Sequence, residues 1–213
     1  MRKVIDSNCL QDQRLSDYLS ANSDNYAVLT DYAAMEAYKG NTLKSIHKSM
    51  SILSEHPKQV LVLKGTQVVC GLKMNGKGLQ KRLIDQSQTK DFWKYCEFLK
   101  LAEFESTLLK SELIAHGKAA NEHMDKLLKG AEKILKSISA FAQCYTNEEL
   151  KILRKRLPFN HLIKEKFIHH VYGLTALLFN DHPRVTKFPE FNNLHNSYIF
   201  RHSLCNYILV MDW

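Results

Sequence analysis

The chain of 213 residues carries 30 Lys and Arg against 22 Asp and Glu, a formal net charge of +8, with 45% hydrophobic and 24% charged residues. That balance excludes a disordered tail, a fibrous repeat and a disulfide-framed miniprotein, and it suits one large soluble domain or two small ones. The longest apolar stretch, residues 171–179, falls well short of the roughly 20 residues of a bilayer span, and the N-terminus has no run of signal-peptide length, so a cytoplasmic protein with no membrane association is expected.

Residues 3–6 (KVID) read as a short strand, residues 10–19 have helical spacing, and residues 26–29 (YAVL) form a second strand ending at Thr30 and Asp31. Either of those two is a natural N-cap for a helix over 32–38, which Gly40 ends. Asn41 is placed to cap the next helix, running to about residue 55 before Pro57. Residues 59–63 (QVLVL) are a continuous apolar run of the kind buried inside a parallel sheet, and residues 66–72 predict one more short strand. Strand and helix thus alternate up to the loop 73–78 (KMNGKG), the expected domain boundary.

Beyond residue 79 the period is helical. Phe92, Tyr95, Leu99, Ala102, Leu109 and Leu113 form one series, and Met124, Leu127, Ala131, Ile134, Ile138, Phe141 and Tyr145 form another. Gly117 and Asn121 lie between them, which predicts an antiparallel hairpin over 79–146 whose core takes the aromatics of residues 92–104. A further helix begins at Asn147 and is broken by Pro158, and apolar helices follow over 161–178 and 193–211. The expected organisation is an α/β core (1–78), a helical hairpin (79–146) and a helical region (147–213) that completes or covers the site. The five dispersed cysteines, Cys9, Cys70, Cys96, Cys144 and Cys205, read as reduced core thiols.

The residues that point to chemistry lie near the start. Asp6 ends the first strand within Val4-Ile5-Asp6-Ser7-Asn8, and ligands of open α/β sheets bind beyond the carboxyl ends of the strands. Glu36 follows the second strand by about a turn and a half of helix, which brings a second carboxylate toward the same edge if the strands are parallel neighbours. Two converging carboxylates suit a hard divalent cation, Mg²⁺ or Mn²⁺, which keeps several waters.

Over residues 1–72 this pattern resembles the N-terminal half of a PIN domain, the metal-dependent ribonuclease fold of many bacterial toxins and RNA-processing enzymes. The resemblance implies an α/β fold, a PIN-like three-layer parallel sheet with a large all-helical insertion or second helical region. It matches Asp6 to the first metal-binding acid, Asn8 to the polar residue orienting it and Glu36 to the second acid, with Ser7 and Asp31 beside them. It further implies Mg²⁺- or Mn²⁺-dependent cleavage of RNA by a toxin or antiphage effector. Its partners would be RNA, an antitoxin or a chain that completes the fold, and a second copy in a homo-oligomer. The family's C-terminal acids have no counterpart here: Arg201 and His202 stand where an acid is sought, Asp181 precedes Pro183 and Asp212 adjoins the end. A missing final segment, or completion by another polypeptide, is the corresponding expectation.

Residues 151–166 hold six Lys or Arg and one acid, Glu165, so Lys151, Arg154, Lys155, Arg156, Lys164 and Lys166 are the expected phosphate contacts. Arg156 and His161 also resemble the Arg/His spacing of HEPN ribonucleases, which act on the 2′-hydroxyl without metal, although Pro158 interrupts the helix that would carry them. A different class, a non-catalytic interaction protein with an incomplete acid set, is the alternative. His169-His170 and Arg201-His202 are read as partly buried or surface residues, because helical neighbours do not share a face.

Overall fold

In the computed structural model, which describes residues 1–39, 42–72, 78–104, 107–155, 157–158, 160–182, 185, 188 and 190–211, β1 (Arg2–Ile5) leads through a 3₁₀ turn (Ser7–Cys9) to α1 (Gln13–Ser20). Then come β2 (Tyr26–Leu29), α2 (Asp31–Tyr38), α3 (Leu43–Glu55), a second 3₁₀ turn (Pro57–Gln59) and β3 (Val60–Val62). The elements after β3 among the described residues are helices, α4 (Thr66–Val69), α5 (Leu79–Leu83), α6 (Gln86–Phe104), α7 (Thr107–Ala142), α8 (Asn147–Arg154), α9 (His161–Phe179), α10 (Phe191–Leu194) and α11 (Tyr198–Met211), with one isolated antiparallel bridge between Leu63 and Ile84. Asn41 and residues 73–77 of the expected boundary loop lie outside the described residues.

The chain divides into two units, one made of Met1–Thr66 and Gln80–Leu127, the other of Gln67–Leu79 and Leu128–Trp213. In the first, the strands form one parallel sheet in the order β1-β2-β3, with Ile5 opposite Leu29 and Leu29 opposite Val62. Parallel neighbours need a crossover, and α1 and the α2–α3 pair supply them. Only the central strand is buried along most of its length, at Ala27, Val28 and Leu29. Ala33 and Ala37 of α2 and Ile46, Met50 and Leu53 of α3 complete its core with Phe92, Cys96 and Leu99 of α6. The 3.6-residue spacing of Ile46, Met50 and Leu53 aims all three inward.

This corrects the expected fold class. The protein is predominantly helical, 73% by residue, with a small three-stranded parallel sheet, and it is not a three-layer PIN-like sheet carrying a helical insertion. The strands are only four, four and three residues long. Arg2, Lys3 and Val4 of β1 are exposed, Val4 by 68%, so that edge lacks the cover a three-layer sheet requires. The fourth strand expected over 66–72 is instead the single helical turn α4. Its β-branched residues suggested a strand, but Cys70 just beyond packs with Phe179, Leu194 and Ile199, and tertiary contact overrides propensity.

The expected hairpin turn is also absent. Gly117 and Asn121 lie inside α7, a 36-residue helix that follows α6. In the second unit, Ile138 and Tyr145 pack with Val171 and Leu174 of α9 and Tyr207 and Met211 of α11. The N-terminus of α8 carries a full capping box, with Thr146 accepting from the Glu149 N–H and Glu149 accepting from the Thr146 N–H. All five cysteines are free thiols. Cys70 and Cys96 are buried and Cys9 is half-buried, whereas Cys144, in the turn after α7, and Cys205, on α11, are exposed, contrary to a uniform core role.

Candidate functional site

The carboxyl edge of the sheet brings together several of the residues singled out above. Asp6 follows β1 in extended conformation (φ −81°, ψ 153°) and opens the first 3₁₀ turn, yet its side chain does not cap that turn. It accepts instead from Asn8 Nδ2 at 3.2 Å, which steadies the carboxylate while leaving it exposed. Ser7 between them is half-buried, and its backbone carbonyl accepts from Leu10.

On the neighbouring strand the cap of α2 is Thr30, whose Oγ1 accepts from the Ala33 N–H at 3.1 Å. Asp31, the other candidate cap, is therefore the first helical residue, with Oδ1 accepting from the Tyr32 N–H at 3.0 Å. It is half-buried, and a methyl group added at Gly65 would stand 3.6 Å from its Oδ2, so the backbone after β3 passes close to this carboxylate. Glu36 projects from α2 into solvent, and α2 packs against the Ser7–Cys9 turn that follows Asp6. Asp6 and Glu36 thus sit on adjoining elements, although no bond links them. Neither has a cationic partner among the described residues. No group of three or more His, Cys, Asp or Glu close enough to hold a metal ion occurs among the described residues.

The basic stretch belongs to the second unit, and the structure divides it by role. Lys151, Lys155 and Lys164 have exposed side chains. Lys166 Nζ donates to both carboxylate oxygens of Glu149 (3.0 and 2.9 Å) and to the Cys144 carbonyl (3.1 Å), and it lies 5.0 Å from the Tyr145 ring centre. Arg154 Nε donates to the Met211 carbonyl at 3.2 Å, which ties α8 to the end of α11. Lys166 and Arg154 are thus engaged in holding helices together. Arg156 lies outside the described residues; His161 opens α9 exposed, 3.6 Å from Glu165.

Two clusters escaped the sequence reading. In the first unit the hydroxyls of Tyr38 on α2 and Tyr95 on α6 share a short hydrogen bond, and burial pushes the Tyr38 phenol up to about 12 and Tyr95 higher still. These residues are 57 apart in sequence, so no local pattern pairs them. In the second unit His170 Nδ1 meets the hydroxyls of Tyr145 (3.0 Å) and Tyr207 (3.1 Å), and its ring stacks on Phe141 at 5.0 Å. Burial, reinforced by Lys166 and His169, lowers the His170 pKa. The helical series had marked Phe141 and Tyr145 as core without their polar ends. His169, one residue away, points elsewhere, with Nδ1 against the Glu165 carbonyl at 2.8 Å and its ring against Phe191. No helix among the described residues is long and apolar enough to cross a membrane. Comparison of the chain with known protein families, curated proteins and solved structures finds no significant match.

Proposed function

We propose that the chain is a Mg²⁺- or Mn²⁺-dependent nuclease acting on RNA, with Asp6 and Glu36 as the metal-binding carboxylates. The observation that carries this reading is a pair of exposed carboxylates without cationic partners, on adjoining elements at the carboxyl edge of a parallel sheet, in a protein of net charge +8. Folding gains little from leaving such charges unpaired, whereas a hard cation takes oxygen ligands of this kind. The donor set fits Mg²⁺ in particular, which commonly uses one or two carboxylates and completes its shell with water and substrate phosphate. When bound, the ion supplies a water of lowered pKa and a counter-charge for the phosphate. Asn8 holds the Asp6 carboxylate in one orientation through its Nδ2 hydrogen bond. Lys151, Lys155 and Lys164, exposed cations of the basic stretch, offer phosphate contacts. The resemblance of residues 1–72 to the PIN metal site supports the same assignment, and a toxin or antiphage setting is the context it suggests.

The test is calorimetric Mn²⁺ titration together with cleavage of a labelled RNA, with and without chelator. Asp6→Asn and Glu36→Gln should each weaken metal binding and lower cleavage by at least about tenfold, while the melting temperature moves little because both side chains are exposed. Unchanged Mn²⁺ binding in the double variant would remove the assignment. A second reading, an interaction protein without catalysis, is favoured by the apolar side chains that the second unit exposes, Leu162 (72%), Leu177 (62%) and Leu209 (61%). Wild-type protein that cleaves no RNA with either metal would favour that second reading.

A further inference from the structure

We propose that the first unit carries a binding pocket for a single RNA base, one that favours bases bearing an exocyclic amino group. Only the choice of RNA as the source of the base rests on the nuclease reading above. The pocket is a crevice of about 320 Å³ whose walls include Leu29 and Val62, the last residues of β2 and β3, so it opens where ligands of parallel sheets bind. Its far wall is aromatic, with Phe92 and Tyr95 of α6 at 5.7 Å between ring centres and Tyr38 of α2 facing Tyr95 at 6.5 Å. Ala34 is the small residue that keeps the crevice open on the α2 side.

Three polar features make this more than an apolar gap. The Tyr38 and Tyr95 hydroxyls bond to each other, but a pair of hydroxyls uses only one of its two hydrogens in that bond. Neither has another partner among the described residues, so one O–H donor is left where both side chains line the crevice. On the rim, Gln88 and Asp91 are three residues apart on α6 and both line the crevice. Asp91 Oδ1 is paired with Lys94 at 2.8 Å, and Lys94 holds this carboxyl below the usual range, so it is an acceptor with a second oxygen to offer.

A flat ligand that stacks on aromatic rings, accepts one hydrogen bond and donates to a carboxylate is a nucleobase with an amino group. Cytosine, adenine and guanine each present an exocyclic amino group to that carboxylate, whereas uracil meets it only with a ring N3–H flanked by two carbonyl oxygens that a carboxylate repels. A second hollow of about 480 Å³ shares Ala34, Tyr38 and Tyr95 and is lined by His116 and His123 of α7. It offers imidazole donors to the sugar or phosphate on either side of the bound base.

The experiment is fluorescence anisotropy with 3′-fluorescein-labelled rC4, rA4 and rU4 in EDTA, which removes any contribution from the metal. The wild type should bind rC4 and rA4 more tightly than rU4. Asp91→Ala, which removes the acceptor, should abolish that preference, and Ala34→Leu, which fills the crevice, should weaken all three by roughly 5- to 150-fold, the range expected when a stacked base is lost. Where Ala34→Leu does not fold, Gln88→Ala on the exposed rim replaces it and should lower affinity for rC4 and rA4. Absence of wild-type binding in EDTA overturns the pocket, as does a folded Ala34→Leu protein with wild-type affinity, or discrimination retained in Asp91→Ala. The Asp6→Asn/Glu36→Gln double variant should bind the tetranucleotides normally and not cleave. Loss of cleavage in every form with binding intact counts against the nuclease alone, whereas cleavage intact with binding unaffected by Ala34→Leu counts against the pocket alone.

Discussion

At the scale of single residues, the polar side chains of the first unit divide into those that hold the fold and those left exposed to solvent. Gln59 is of the first kind. Its amide nitrogen lies 3.0, 2.9 and 2.8 Å from the carbonyls of Leu19, Asn22 and Asn25, tying the end of α1 and the turn before β2 to the start of β3. Gln59→Leu removes the donor from three carbonyls at once and should destabilise by about 1–3 kcal/mol in urea denaturation. Asp6 and Glu36 are of the second kind, and under the proposed metal site their replacement should act on metal and RNA rather than on the melting curve. The sequence made both acids visible because each follows a strand by a fixed number of residues. It could not decide between Thr30 and Asp31 as the cap of α2, since that depends on which side chain turns back to the Ala33 N–H.

At the scale of elements, boundaries carrying their own chemistry were legible and boundaries set by packing were not. The β2 strand forms over the residues its composition predicts, and α8 starts where Thr146 and Glu149 can form a capping box. Thr146→Ala should therefore cost about 1 kcal/mol, read as a shift in the denaturation midpoint with unchanged slope. Leu53 of α3 is fully buried against the sheet, and Leu53→Ala should cost about 2–5 kcal/mol by the same measurement. By contrast, Gly117 and Asn121 sit inside α7, although glycine and asparagine mark turns in most settings. The cost of one glycine in a helix, about 1 kcal/mol, is small against the packing of a 36-residue element. In the same way α4 replaces a strand because its neighbour Cys70 has a helical core to join.

At the scale of the whole molecule, stability should depend on pH through side chains no motif revealed. The folded state lowers the pKa of His170, chiefly by burial among Phe141, Tyr145 and Tyr207, and lowers that of His202 by burial beside Phe179 and Tyr198. Above about pH 6.5 both imidazoles are neutral in the folded and unfolded chains. As pH falls below that value the unfolded chain takes up protons first, so stability declines until the folded-state values are reached. The melting temperature should accordingly fall between pH 7.5 and 5.5, and His170→Gln should flatten that dependence; an equal slope in the variant would exclude His170 as a source. Asp12, held near 2 by Arg14, adds a further loss only below about pH 4. By itself the sequence determined the strand-helix alternation up to β3, the helical character from residue 79 onward and the positions of the strand-end acids, because each rests on spacing or capping between near neighbours. Tertiary structure alone decided that the sheet stops at three short strands, that Lys166 and Arg154 brace helices, and that Tyr38 meets Tyr95 beside a crevice. Those outcomes depend on which distant side chains compete for the same buried space, and local sequence does not encode that competition.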